Sequence, residues 1–374
     1  MASIRQTKSA ESSLFRVGYV VNPIADLVWY LGLPLVALAF ALACQQWLTA
    51  MAITSIALLF NAPHNFVTLL RTYGLEEDRH RFRDQLIVGL VLISAFTVVG
   101  MKWAPLTILL LSVLWNHQHN LMQLHGFARI YDHKARAGTP MTPRWDLTLN
   151  WVLYVNMLLT AQLFANFWIR ELYRFDLPIS AEAVRVLQTA SWCVTAGFVG
   201  VYSIHVFNSV RNGFAVNPLK FVFLFTNYAV LYIASWNTTS ILIHSIANNI
   251  MHGLQYIVIV YVYMQRKVEH SSQDDGWIRS IVRPGNVKAF VAVCLLYTVV
   301  VQLIARRPLE EFGFGAISFT SRYDAIPEHQ LAGVSLAGGY ELFALLVMNV
   351  PGLLHLYYDS FIWKVRDTKI QQGL

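Results

Sequence analysis

Residues 105–132 read PLTILLLSVLWNHQHNLMQLHGFARIYD. The stretch opens as an apolar run long enough, once helical, to cross a hydrocarbon core ~30 Å thick, which takes about 20 residues. Yet it keeps His117, His119 and His125 among leucine, methionine, phenylalanine and tryptophan. Ionisable side chains are costly in hydrocarbon and mark sites or pathways. A spanning helix that retains three imidazoles therefore points to both a fold and a chemistry.

The apolar pattern recurs along the whole chain. Ten spans are expected, at 24–44, 47–70, 86–104, 105–128, 147–169, 186–209, 217–236, 238–264, 286–305 and 335–361. The fold class that follows is all-α, a polytopic transmembrane helix bundle. It forms a single domain over 1–374, with 1–22 as a cytoplasmic segment and 365–374 as a cytoplasmic tail. Composition agrees: 56% of the 374 residues are hydrophobic and 13% are charged, whereas soluble domains carry about 25% charge. Pro34 and Pro351 lie inside spans, where the missing N–H predicts kinks. The connections at 266–285 and 306–334 are the longest and leave room for small surface helices. Residues 1–22 are polar and basic, so no cleavable signal peptide is expected.

Lysine and arginine in the connecting segments set the orientation. With the N-terminus in the cytoplasm, 21 of the 28 basic residues fall inside, among them Arg16, Arg71, Arg144, Arg266 and Lys364. Both termini are then cytoplasmic, and the expected location is a bacterial inner membrane. This asymmetry accounts for most of the net charge of +7, which excludes nucleic acid as the partner the charge would otherwise suggest.

Eight of the twelve histidines fall within spans: His64, His117, His119, His125, His205, His244, His252 and His355. All eight lie on even-numbered spans, and His64, His125, His205 and His355 lie in the last, cytoplasmic third. One polar site in that half of the bundle is the expectation. Helical spacing attaches further polar residues to the same faces. Asn61, His64, Asn65, Thr68 and Arg71 form one stripe, and His244, Asn248, His252 and Gln255 form another. Tyr202, His205, Asn208 and Ser209 form a third, and Glu341, Met348, Gly352, His355 and Asp359 a fourth. Asn61, Asn65, Asn208, Asn248 and Gln255 are expected to support and orient the ligands. On 105–128, His117 and His125 sit about 80° apart around the helix. His119 points roughly 200° from His117, towards a second metal or a neighbouring helix.

The bland readings are interhelical hydrogen bonding for any lone histidine and surface exposure for His80, His133, His270 and His329. His119 and His244 fit the structural role best. Asp359, four residues after His355, suits a ligand pair, a carboxylate behind the ligand, or a salt bridge to Lys364 or Arg366. Arg129, Asp132 and Tyr358 are candidates for catalytic roles; Arg129 and Asp132 also suit helix capping. Cys44, Cys193 and Cys294 stand apart, without a CxxC pair, and read as packed free thiols.

Imidazole nitrogens with one carboxylate and no thiolate suit iron, with copper or zinc as alternatives. The ligand set is His64, His117, His119, His125, His205, His244, His252, His355 and Asp359. Such a centre in a membrane bundle resembles, in kind, the integral-membrane lipid oxygenases, desaturases and hydroxylases, and the bacterial membrane carotene dioxygenases. The HxxxH and HxxHH boxes of the desaturase and hydroxylase class do not occur here. Pro63-His64 is similar to the proline-preceded histidines of the dioxygenase class. The segments His125–Asp132 and His355–Lys364 look like family signatures to which no activity is attached.

The resemblance implies a non-haem, di-iron membrane oxidoreductase that activates O2 on a lipophilic substrate (fatty acyl, terpenoid or carotenoid) entering from membrane lipid. A soluble electron donor would reach it from the cytoplasmic side; a double-bond-cleaving dioxygenase would need none. Two other classes stay open. One is a b-type haem protein using His117 or His125 with His205 or His252, although no adjacent His-His pair exists for a haem-copper site. The other is a proton or metal-ion transporter, which would call for more acidic residues deep in the helices than Asp26, Glu341 and Asp359.

Overall fold

The computed structural model describes residues 14–103, 105–174, 176–238, 240–270, 276–311, 339–365 and 367–374. They form a helical bundle. Among the described residues no β-strand occurs, only an isolated bridge between Phe15 and Val216. In chain order the helices are α1 (Pro23–Trp47), α2 (Ala50–Gly74), α3 (Glu76–Arg81), α4 (Arg83–Trp103), α5 (Pro105–Ala135), α6 (Thr142–Thr160) and α7 (Gln162–Arg174). Then come α8 (Ala181–Arg211), α9 (Pro218–Asn237) and α10, which runs from Ile241–Asn248 through a π-helical turn, Asn249–Gly253, into Leu254–His270. The chain ends with α11 (Gly276–Val282), α12 (Val287–Glu311), α13 (Gly339–Ile362) and α14 (Thr368–Gln371).

Helix starts follow local chemistry. Thr49, Ser180, Asn217 and Ser240 each accept a first-turn backbone N–H through the side chain, satisfying donors that a helix start leaves orphaned. Five helices are long and apolar enough to cross a membrane, or six if the bent pair α6–α7 counts as one. That pair replaces the unbroken span expected over 147–169: the chain turns by 69° after α6. Ala161 is extended there, and α7 carries Arg170, Glu171 and Arg174, charges that a straight continuation would carry deeper along the span axis. Residues 335–338, which were assigned to the last span, and His329 lie outside the described residues, as does the side chain of Glu341.

Pro34 produces a π turn over Asp26–Gly32. Proline has no N–H to give to the carbonyl four residues earlier, which here is that of Tyr30. Asn227 and Gln255 donate to that carbonyl instead, each at 3.4 Å. Gln255 also donates to Asn227 Oδ1 at 3.1 Å, and the Tyr30 hydroxyl donates to the Gln255 carbonyl at 3.3 Å. The expected role of Gln255 beside the histidines is thus taken by a clamp joining α1, α9 and α10.

At the centre, α2 packs against α10, α12 and α13, while α4 packs on α13 and α6 on α8. Gly253 permits a close approach of α10 to α2: a Cβ there would lie 3.3 Å from the Phe60 carbonyl and 3.5 Å from His64 Cβ. A side chain at this position would push α10 away from α2 where His64 and His252 meet. Cys44 and Cys294 are buried and Cys193 is exposed, so only two of the three thiols are packed.

Candidate metal centre

Four histidines from four helices converge: His64 of α2, His119 of α5, His252 of α10 and His355 of α13. Each offers a ring nitrogen, and the four nitrogens all lie within 4.8 Å of one another. The residues are between 1% and 6% exposed. His64 Nε2 and His252 Nε2 stand 3.1 Å apart, as do His119 Nε2 and His355 Nε2. For an ion held tetrahedrally at about 2.0–2.1 Å by histidine, neighbouring nitrogens would be roughly 3.3 Å apart. The two 3.1 Å pairs match that edge. Among the described residues this is the one His, Cys, Asp or Glu group with such spacing.

Local structure delivers each ring. His64 follows Pro63 inside α2, and His252 sits on the π turn of α10. A π turn shifts the helical register, so it re-aims a side chain relative to its neighbours. The rings interlock at steep angles, His64 to His355 with centroids 4.2 Å apart and His119 to His252 at 5.1 Å.

Behind His355 runs a chain of hydrogen bonds whose direction follows once Asp359 is taken as ionised. Asp359, as a carboxylate, only accepts, and Tyr256 Oη donates to it at 2.6 Å. Tyr256 Oη accepts from Trp363 Nε1 at 3.1 Å and meets Thr68 Oγ1 at 2.5 Å. Since the tyrosine proton is engaged with Asp359, the threonine proton goes to Tyr256 Oη or to Asp359 Oδ1, 3.4 Å away. Thr68 Oγ1 is then the acceptor for His355 Nδ1, 2.7 Å away. His355 is left with a bare Nε2 lone pair aimed at the cluster, the tautomer a metal ligand requires. Trp363 is held in turn by Arg71. That guanidinium is fully buried between the rings of Tyr263 (3.9 Å) and Trp363 (4.0 Å), and pairs with Asp78 at 3.0 Å.

Asp359 also faces the cluster: Oδ2 is 3.9 Å from His119 Nε2, and Oδ1 is 3.7 Å from His355 Nδ1. Beside it opens a cavity of about 420 Å³, bordered by His119, Tyr256 and Asp359 and otherwise mostly by apolar side chains such as Met122, Phe127 and Leu356.

The other four span histidines do not join this cluster. His117 packs edge-on against Phe164 at 5.2 Å, and His244 meets the same ring at 5.1 Å. His205 stacks on Trp145 at 4.7 Å. His125 is half-buried on α5, within electrostatic reach of Asp146, Arg129 and Lys220. His119, expected to turn away towards a structural role, belongs to the cluster instead. The rotation of α5 about its axis, fixed by packing on α4, α6 and α9, decides this.

Arg129 and Asp132 lie in a separate charged network. Lys220 Nζ is 3.0 Å from Asp132 and 3.1 Å from Asp146, and Arg129 pairs with Asp132 at 2.7 Å. Tyr202 donates to Asp146 at 2.7 Å. Tyr358 is fully buried, donates to the Leu86 carbonyl at 3.0 Å and meets Tyr73 Oη at 2.7 Å. Asn65 is buried facing Gly352, where an added Cβ would lie 3.4 Å from its Nδ2, Asn248 is buried one turn after His244, Asn61 is half-buried and Asn208 is exposed. Tyr256 and Trp363 were missed as supporting residues. Helical spacing held the signal for one of them, since Tyr256 follows His252 by four residues. No family model, curated protein or solved structure matches the chain.

Proposed function

We propose that His64, His119, His252 and His355 hold a single metal ion, and that the protein is a membrane-embedded, metal-dependent oxidoreductase acting on a lipophilic substrate. The observation that carries this reading is the convergence of four buried imidazole nitrogens within 4.8 Å. Without an ion the pairs His64–His252 and His119–His355 can each close as a neutral N–H···N hydrogen bond; an ion would replace those two contacts with four lone pairs on one centre. An all-nitrogen set with one nearby carboxylate suits iron, then copper or zinc. With one four-histidine group among the described residues, the reading is one ion rather than the di-iron centre suggested by resemblance.

When bound, such an ion supplies Lewis acidity and, if iron or copper, one-electron redox chemistry towards O2. The chain's own residues do the rest. Thr68, Tyr256 and Asp359 fix the His355 tautomer and offer a route for a proton from Nδ1 towards a carboxylate. Asp359 places a negative charge beside the cluster on its cavity side. The apolar cavity wall excludes water from the reacting region. Membrane insertion is supported by the five long apolar helices and by the basic residues of the connecting segments. A cytoplasmic electron donor belongs to a monooxygenase version of the reading, whereas a dioxygenase needs only O2. The spacing weighs against haem, because nitrogens 3.1 Å apart leave no gap for a macrocycle between them.

Elemental analysis with an optical spectrum on detergent-purified protein tests the reading. About one metal per chain without an intense Soret band is expected for a four-nitrogen, non-haem site. Folded, active, metal-free protein would overturn it.

A further inference from the structure

The cavity beside the cluster has a definite shape. One wall is a single face of α5: Trp115, His119, Met122, Gly126 and Ile130 all border it, spaced four, three, four and four residues apart. That is one helical stripe. From Trp115 to Ile130 the stripe runs fifteen residues, about 22 Å along the axis. The opposite wall is Asp359 of α13 with Trp363 and Lys364 just beyond its end. The lining residues spread the cavity over that length into an elongated slot. Its form suits one extended chain better than a compact fused-ring body.

Two residues define the slot further. Gly126 lies on the stripe, and a Cβ built there meets no atom within 4 Å, so any side chain would project into open space. Lys364 is exposed and is the cation among the bordering residues, five residues after Asp359 and just past the end of α13. Along the α5 wall, His119 is eleven residues from Ile130, about 16 Å, but only four from Trp115, about 6 Å.

We propose that this slot is the substrate groove for a single-chain lipid carboxylic acid, its carboxylate against Lys364 and its chain passing the four histidines. The proposal rests on the metal reading for its chemistry but not for its binding. The groove also fixes regiochemistry, since the portion of chain beside His119 is set by its distance from Lys364.

Photo-crosslinking on the detergent-purified full chain tests this with palmitic acid analogues carrying a diazirine near either the carboxyl or the methyl end. Peptide mapping should place the carboxyl-end label around Ile130 and Val365 and the methyl-end label around Trp115 to Met122. Unlabelled palmitic acid should suppress labelling, a sterol should not, and hexadecanol should compete about tenfold less well than the acid. Lys364→Gln should erase that difference, and Gly126→Phe should cut labelling about tenfold or more by filling the slot. The same lipid-facing sites for both labels, equal competition by a sterol, or labelling indifferent to Gly126→Phe would overturn the proposal. If Gly126→Phe fails to accumulate, the ordered map and the competition on the unaltered chain decide. Metal content of the same preparation separates the two readings. Ordered labelling of metal-free protein retains the groove and sinks the metal centre, while metal-loaded protein without ordered labelling does the reverse.

Discussion

Helix α5 passes through two buried polar regions that differ in one respect. Around Asp132, two carboxylates meet Lys220 and Arg129, so the charges cancel within the network. Around His119, four imidazoles face one another beside Asp359. The first region pairs its charges internally, although Asp132 Oδ1 is left without a hydrogen bond. The second brings four ring nitrogens to a point where one cation could meet them all. Burial and polarity are shared, so neither marks a site by itself; the unbalanced convergence of donors does.

Substitutions can break that contrast. Replacing His64 or His252 with Ala is expected to lower metal affinity by more than about a hundredfold, beyond the 10–100-fold typical of losing a supporting neighbour. Metal per chain would then fall close to zero in elemental analysis. Lys220→Met should act the other way. It strands two carboxylates on one guanidinium at a cost of about 3–5 kcal/mol, read as a lower thermal midpoint in detergent with metal per folded chain unchanged.

Thr68→Val sharpens the comparison, because it removes the acceptor of His355 Nδ1 and changes little volume. Metal affinity should drop about 10–100-fold, and the metal-free protein should lose about 1–3 kcal/mol for the buried partners left unpaired. The smallest effect is expected for His205→Ala, which loses a stack on Trp145 worth about 0.5–1.5 kcal/mol and leaves metal content untouched. Loss of metal from the Lys220 or His205 variant would erase the distinction between the two regions.

Much of the helical fold was legible because apolar runs set where most helices start, although helices such as Pro105–Ala135 and Val287–Glu311 run six or seven residues past the expected spans. What the runs could not reveal was the 69° turn after α6, since hydropathy averages over the charged residues of α7. The site was legible in part. Helical spacing placed His64, Thr68, His355 and Asp359 on inward faces. It could not tell that α5 turns His119, rather than His117 or His125, towards the cluster, because rotation about a helix axis is set by neighbours far away in sequence. Period-based reasoning also assumes a regular helix, and the π turn at Asn249–Gly253 breaks that assumption at His252. Arg129 and Asp132 drew attention as polar residues near a histidine stripe, but Lys220 and Asp146, which neutralise them, come from α9 and α6.

The most direct test of the four-histidine centre is metal content, by elemental analysis, of the purified wild-type chain beside His64→Ala, His119→Ala, His252→Ala and His355→Ala. The account predicts about one ion per wild-type chain, held by a four-nitrogen set, and loss of that ion in each of the four variants. His117→Ala and His244→Ala, made in parallel, should keep it. Full metal content in all four cluster variants, or a folded wild-type chain that neither contains nor takes up iron, copper or zinc, would contradict it.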